Sequence, residues 1–378
     1  RREMMSFQLQ RLGIVMEREP GNPHEIEGVL NPGAARGPDG QLYLFPRLVG
    51  QGNFSRIGIA RVQFNDEGDP VGVQRVGIAL EPKADYELHP GGGGCEDPRI
   101  TFIEQLQRYV MTYTAFGRNG PRIALATSND LFNWERLGLA TFLACDGLEC
   151  HALDFTKINN KDAVLFPKAI RSPTGEDAFA MIHRPLFPGT DAHETVHDSK
   201  PRMVDVSRES MWISYTPCQA ADRSQRRLCD FRSHHRLVYP VAPWEHLKIG
   251  CGTPPVLTKH GWLVFYHGVC ESNESTLHAR RLRYSAGVLL LSEERPRFIR
   301  YRSTSPVLEP EVPEERAGTA ANVVFPTGVD QRTDLEQPNR IDVYYGMADS
   351  RIGAARTDVP EKLPPEARTI LRPPGARL

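Results

Sequence analysis

The chain has 378 residues, 40% of them hydrophobic, with 46 Lys and Arg against 47 Asp and Glu. That length can bury a substantial core as one large domain or two ordinary ones, and the near-zero net charge excludes a global basic field able to hold nucleic acid or an anionic membrane. No stretch approaches the roughly 20 apolar residues of a bilayer-spanning helix, so neither nucleic acid nor membrane is an expected partner.

In chain order, Phe7-Gln-Leu-Gln-Arg-Leu12 lacks the apolar core of a secretory signal, and residues 1–26 are read as an N-terminal extension. Gly 32 and Pro 31 then punctuate the chain too often for long helices. Short strands are predicted at Gln41 to Phe45, Ile57 to Val62, Tyr109 to Tyr113, Ile123 to Thr127, Ala163 to Phe166, Ala178 to His183, Met211 to Tyr215, Trp262 to Tyr266, Gly287 to Leu291, Val323 to Phe325, Ile341 to Tyr345 and Ile352 to Arg356. They are rich in β-branched and aromatic residues and bounded by Gly, Pro and Asn.

Small-residue strands such as Ile57-Gly-Ile-Ala-Arg61 and Ile352-Gly-Ala-Ala-Arg356 recur at the ends of clusters near 27–80, 95–140, 148–216, 248–300 and 320–357. Five units of this size predict an all-β fold, a five-bladed β-propeller over residues 27–357, with a two-sheet sandwich as the alternative. The polar stretch 186–243, which contains His193, Glu194 and His197, is expected to be an elaborated connection between blades; 358–378 is expected to be an extended Pro- and Arg-rich tail.

The cysteines (Cys95, Cys145, Cys150, Cys218, Cys229, Cys251, Cys270) form no CxxC pair, which argues against a disulfide framework and a structural zinc and fits a reducing, cytoplasmic setting. No metal site is predicted. The adjacent His234 and His235 would point to opposite sides of a strand.

The sharpest local feature is His89-Pro-Gly-Gly-Gly-Gly-Cys-Glu-Asp-Pro-Arg99. Four glycines let backbone approach a ligand, and Pro98 fixes the chain just beyond Asp97, a turn able to present a carboxylate into a cavity. Read alone, an acid in such a turn is more often a solvated surface group.

Gly93-Gly-Cys-Glu-Asp-Pro-Arg-Ile100, with Asn160-Lys-Asp-Ala-Val-Leu-Phe-Pro167, His183-Arg-Pro185, Lys248-Ile-Gly-Cys-Gly-Thr-Pro-Pro255, Gly261-Trp-Leu-Val-Phe-Tyr-His-Gly268, Asn322-Val-Val-Phe-Pro326 and Tyr344-Tyr-Gly-Met-Ala-Asp349, resembles glycoside hydrolase family 130, the mannoside phosphorylases and mannosidases built on a five-bladed propeller. The resemblance implies that Asp97 is the catalytic acid of an inverting cleavage. It implies that Asn31, Arg47, Arg99 and Asp349 lie on the sugar side, and that Lys161, Arg184, Lys248, His267 and Tyr284 hold phosphate. Position 161 is Lys where many phosphorylases of the family carry Arg, and the stretch between Arg184 and Lys248 is long.

Desolvating phosphate requires several cationic donors, with Arg offering a planar fork and Lys a compact charge. Phosphate is itself a nucleophile, so one acid and a cationic cradle suffice. Inverting hydrolysis instead needs a second carboxylate roughly 6.5 to 9.5 Å from the first, for which Glu96, Asp162 and Glu245 are the candidates. Asp97 has to deliver a proton, which partial burial would favour and Arg99 oppose. The expected activity is therefore β-mannoside phosphorolysis, at β-1,2 or β-1,4 bonds of a manno-oligosaccharide, giving α-mannose 1-phosphate with phosphate as co-substrate and no cofactor. A mannosidase and a non-catalytic sugar-binding propeller are the rivals, and a homo-oligomer stays open.

Overall fold

The computed structural model describes residues 7–143, 154–187, 209–223, 225–276, 279–337 and 339–364. The chain is all-β in these regions apart from single turns and two short helices, Cys218–Arg223 and Pro313–Arg316. Cys145, Cys150, His193, Glu194 and His197 lie outside the described residues.

The strands fall into five antiparallel groups. The first is β2 (Gly28–Arg36), β3 (Leu42–Gly50), β4 (Phe54–Phe64) and β5 (Pro70–Leu80), which follow β1 (Gln10–Met16); the second is β6 (Gly93–Ile103), β7 (Arg108–Gly117), β8 (Gly120–Ser128) and β9 (Glu135–Leu139). The third takes β11 (Asn159–Leu165), β13 (Asp177–Leu186), β14 (Met211–Pro217) and β15 (Asp230–Val238), with the two-residue strands β10 (Thr141–Phe142) and β12 (Ile170–Arg171) at its margins. The fourth comprises β16 (Lys248–Cys251), β17 (Val256–Thr258), β18 (Gly261–Glu271), β19 (Leu282–Leu291) and β20 (Ile299–Arg302); the fifth is β21 (Val324–Gln331), β22 (Arg340–Met347) and β23 (Arg351–Asp358). Groups one and two join into one sheet through a short parallel pairing, Phe54 with Gly93 and Ser55 with Gly94.

Alternation explains how each sheet is buried on both faces, because successive side chains point to opposite sides of a strand. In β18, Leu263 and Phe265 pack with Val324, Ile341 and Val343 of group five, whereas Trp262, Val264 and Tyr266 pack with Val164, Ile182 and Ile213 of group three. Similar cores lie between groups one and two (Phe45, Ile57, Ile100, Met111) and groups two and three (Leu125, Leu165, Phe179, Trp212). A fifth core joins groups five and one through Val29, Leu44, Tyr344 and Ile352. The first strands of the groups also meet: β2 packs against β6 and β21, and β11 against β6 and β16.

The described strands cut across the expected boundaries. Within the expected N-terminal extension 1–26, β1 (Gln10–Met16) pairs along β23 and supplies the fourth strand of group five; its alternation is weak because a register shift on either side of Gly13-Ile14 interrupts it. Within 186–243, β14 and β15 are sheet strands rather than connection, and His234 and His235 do diverge, His234 to the buried Ser214 and His235 to Ser233. The tail packs as far as it is described, with Val359 in a core and Leu363 against it.

Candidate active site

Three first strands carry the same irregularity. The pairing of β2, β6 and β11 with the next strand shifts register at Leu30/Gly33, Glu96/Arg99 and Lys161/Val164. Inside these bulges Asn31, Asp97 and Asp162 adopt positive φ of 42°, 48° and 56°. Asn and Asp tolerate this region better than other side chains, and a bulge re-aims a side chain out of the strand's alternation. All three are polar, buried and turned toward one another's strands.

The acid half forms around Asp97. Asn31 Nδ2 donates to Asp97 Oδ1 at 3.0 Å and Arg47 Nη1 to the same oxygen at 3.4 Å. Arg47 also donates to Ser55 Oγ at 2.8 Å and to Glu96 Oε1 at 3.1 Å, so its charge is shared between two carboxylates. Asp349 sits beside Ala348 in the tight β22–β23 turn, both with φ of 49°. Burial pushes its carboxyl up to about 6, Arg47 opposing and the nearby Asp97 and Glu96 adding to the rise.

The cationic half forms around Asp162. Arg184 Nε donates to its Oδ2 at 2.7 Å, Arg99 Nη2 to its Oδ1 at 3.5 Å, and His267 Nε2 lies 3.7 Å from Oδ2. Burial alone would raise the Asp162 carboxyl, but Arg184 and Arg99 outweigh it and hold it well below the usual carboxylate range. Burial also pushes the His267 imidazole down to about 3, against the attraction of Asp162 and with Arg184, Arg99 and Lys248 adding, so its ring is neutral near pH 7. That ring stacks on Phe325 at 4.3 Å, and neither of its nitrogens has a hydrogen-bond partner. Tyr284 lies beside it and under the Lys248 ammonium, 5.8 Å from the ring centre; burial pushes the Tyr284 phenol up to about 12.

Gly250 makes this packing feasible. A Cβ there would stand 2.3 Å from Asp162 Oδ2 and 2.5 Å from His267 Cε1. Lys161 is paired with Arg184 across β11 and β13 and lies within electrostatic reach of both Tyr284 and Asp349. It therefore links the two halves.

Of the expected residues, Asn31, Arg47 and Asp349 gather with Asp97, and Lys161, Arg184, Lys248, His267 and Tyr284 gather around Asp162. Arg99, expected on the sugar side, lies between the halves. Its guanidinium donates to the backbone carbonyls of Asp97 at 3.2 Å, Gly252 at 3.0 Å and Cys251 at 2.9 Å and reaches Asp162. In a regular strand Asp97 and Arg99 would share a face, but the bulge between them breaks the alternation. Arg47, not Arg99, is the cation at the Asp97 carboxyl.

Two residues were missed as parts of this site. Asp162 was considered only as a water-activating base, and Glu209 was not considered. Glu209 is buried, its Oε2 accepts from Arg184 Nη1, its Oε1 has no hydrogen-bond partner, and its backbone carbonyl accepts from Ile249 N at 3.2 Å. No local pattern flags it; only the folding of β14 beside β13 and β16 places it there. The other acids proposed as bases are engaged: Glu96 by Arg47, and Glu245 by Arg302 and Tyr266 in a buried group apart from the cradle. Among the described residues, no three His, Cys, Asp or Glu side chains come together as metal ligands.

Residues 9–363 match a family described as beta-1,4-mannooligosaccharide phosphorylase, glycoside hydrolase family 130. The chain is 31% identical over 340 residues to a 1,2-β-oligomannan phosphorylase of Thermoanaerobacter sp. (strain X514), covering 88% of this chain and 91% of that one. It is 31% identical over 288 residues to a β-1,4-mannooligosaccharide phosphorylase of Ruminococcus albus, covering 75% and 68%. Its fold is similar to that of a β-1,2-mannobiose phosphorylase from Listeria innocua solved with β-1,2-mannobiose, at TM-score 0.65 and 22% identity over 94% of this chain and 97% of that one.

Proposed function

The chain belongs to glycoside hydrolase family 130, and on that premise we propose that it is an inverting β-mannoside phosphorylase that cleaves manno-oligosaccharides with inorganic phosphate. The observation that carries this reading is the cationic cradle of Lys161, Arg184 and Lys248 with neutral His267, joined through Lys161 to the acid half. The five groups are read as blades of a five-bladed propeller, supported by five cores between successive groups including the last and first.

Asp97 is the proton donor. Asn31 and Arg47 both address its Oδ1, so the other carboxyl oxygen can hold the proton and point it at the glycosidic oxygen. Asp349 and Arg47 orient the mannosyl ring. The phosphate oxygen attacks the anomeric carbon from the side opposite the leaving group: one C–O bond forms as the glycosidic C–O bond breaks, and the departing oxygen takes the Asp97 proton. The products are α-mannose 1-phosphate and a sugar shortened by one residue. No second carboxylate is required, because phosphate is already an anion that needs no base. Both β-1,2 and β-1,4 linkages fit this chemistry. The free thiols of Cys95, Cys229, Cys251 and Cys270 support a cytoplasmic setting.

Proton and phosphorus NMR of the reaction mixture tests the assignment. An α-configured sugar phosphate as the first-formed product supports it; free mannose as the first-formed product counts against it.

A further inference from the structure

The grip on phosphate depends on the charge balance of its pocket. Among the described residues, the cations Arg99, Lys161, Arg184 and Lys248 stand with two carboxylates, Asp162 and Glu209, beside neutral His267. Phosphate near neutral pH carries between about one and two negative charges, so each of these carboxylates weighs against its binding.

The two carboxylates hold Arg184 differently. Asp162 takes Nε and is enclosed by Arg99 and His267 as well, so it organises the cradle. Glu209 takes a terminal nitrogen, Nη1, which a planar guanidinium would otherwise offer to an oxyanion. One of its oxygens is buried with no hydrogen-bond partner, an arrangement that costs free energy unless it serves another end. The Glu209 backbone is anchored to Ile249, next to Lys248, and its charge is felt at Tyr284. It therefore sits inside the cluster of groups that would surround the phosphoryl group.

Resting on the phosphorylase reading, we infer that Glu209 is a built-in counter-ion that competes with the phosphoryl group for Arg184 and limits how tightly the cradle holds phosphate and the sugar phosphate product. The product keeps its phosphoryl group in the same cradle, so every turnover ends with a charged ester leaving a cationic pocket. A carboxylate ready to take Arg184 Nη1 favours that departure, whereas the same pocket without the Glu209 charge would retain the product.

Binding of inorganic phosphate and of α-mannose 1-phosphate is measured by calorimetry on wild type, Glu209→Gln and Glu209→Asp, alongside steady-state kinetics. Removing one buried charge in contact with Arg184 is expected to tighten both ligands by about tenfold, with KM for phosphate and kcat falling together as product release slows. Glu209→Asp, whose carboxylate is drawn back from Arg184, is expected to shift the same way by a smaller factor, and it carries the test alone if the Gln variant does not fold. Unchanged or weaker phosphate binding in the folded variants would make Glu209 a mere support for Arg184 and overturn the inference. Loss of a phosphate-independent cleavage in Glu209→Gln would identify it instead as a base for water and also overturn it. A wild type that neither binds nor uses phosphate contradicts the phosphorylase reading itself, a result separate from these.

Discussion

Asn31 and Asp97 are 66 positions apart, yet Asn31 Nδ2 reaches Asp97 Oδ1 at 3.0 Å, each from a bulge in which it adopts a positive φ. The contact joins the first strands of groups one and two and fixes which oxygen of the acid is engaged. It also leans on group five, since a Cβ at Gly346 would fall 2.0 Å from Asn31 Oδ1.

Gly346→Ala is therefore expected to displace Asn31 and impair the acid without touching it. Overpacking of this kind costs about 1–3 kcal/mol, and with the hydrogen bond lost kcat should fall by about tenfold or more. Melting curves and initial rates check both; an alanine variant with wild-type kcat would detach Asn31 from catalysis.

Asp97→Asn keeps shape and removes the proton. A positioned general acid contributes about 10²–10⁴-fold, so kcat should drop by that order while mannoside binding, followed by calorimetry, persists. An unaltered turnover would remove Asp97 from the chemistry.

Asp162→Asn distinguishes an organiser of cations from a base. Breaking a buried ion pair by removing one partner costs about 3–5 kcal/mol, so denaturant unfolding should show a loss of that size together with a large rise in KM for phosphate. A variant with wild-type stability that loses only a water-dependent reaction would restore the base assignment.

The pH response should trace Asp349. Its carboxyl is pushed up to about 6 in the folded chain, above the ordinary value near 3.9, so the folded state binds its proton more tightly than the unfolded one. Ionised Asp349 thus costs stability fully above about pH 6, and the cost disappears as pH falls toward the unfolded value. Asp349→Asn is expected to melt about 2–4 °C higher at pH 8, with no gain near pH 4. In the proposed function the ionised carboxylate accepts the hydroxyl hydrogens of the sugar, so wild-type KM for the mannoside should climb as pH drops through 6, and the Asn variant should lose that dependence.

The sequence made the strand-rich fold legible because Gly and Pro breaks and β-branched runs act locally. The Gly-rich turn before Asp97 was visible for the same reason. The cradle residues were legible only through family resemblance, since Lys161, Arg184, Lys248 and His267 lie far apart along the chain and no spacing rule links them. The role of β1 was hidden because its partner, β23, is more than 330 positions away and two register shifts blur its pattern. Period-two alternation could not place Arg99, because it fails at a bulge that nothing but the chain's folding reveals. Glu209 was invisible because a lone acid after a polar stretch looks like a solvated one.

The central claim is that phosphate, held by cations opposite Asp97, is the nucleophile. The most direct measurement is cleavage of β-1,2- and β-1,4-manno-oligosaccharides in matched buffers with and without inorganic phosphate, with all sugar products quantified. The account predicts turnover that saturates with phosphate and yields α-mannose 1-phosphate in equal amount to the shortened sugar. Equal rates without phosphate, with mannose released instead, would contradict it.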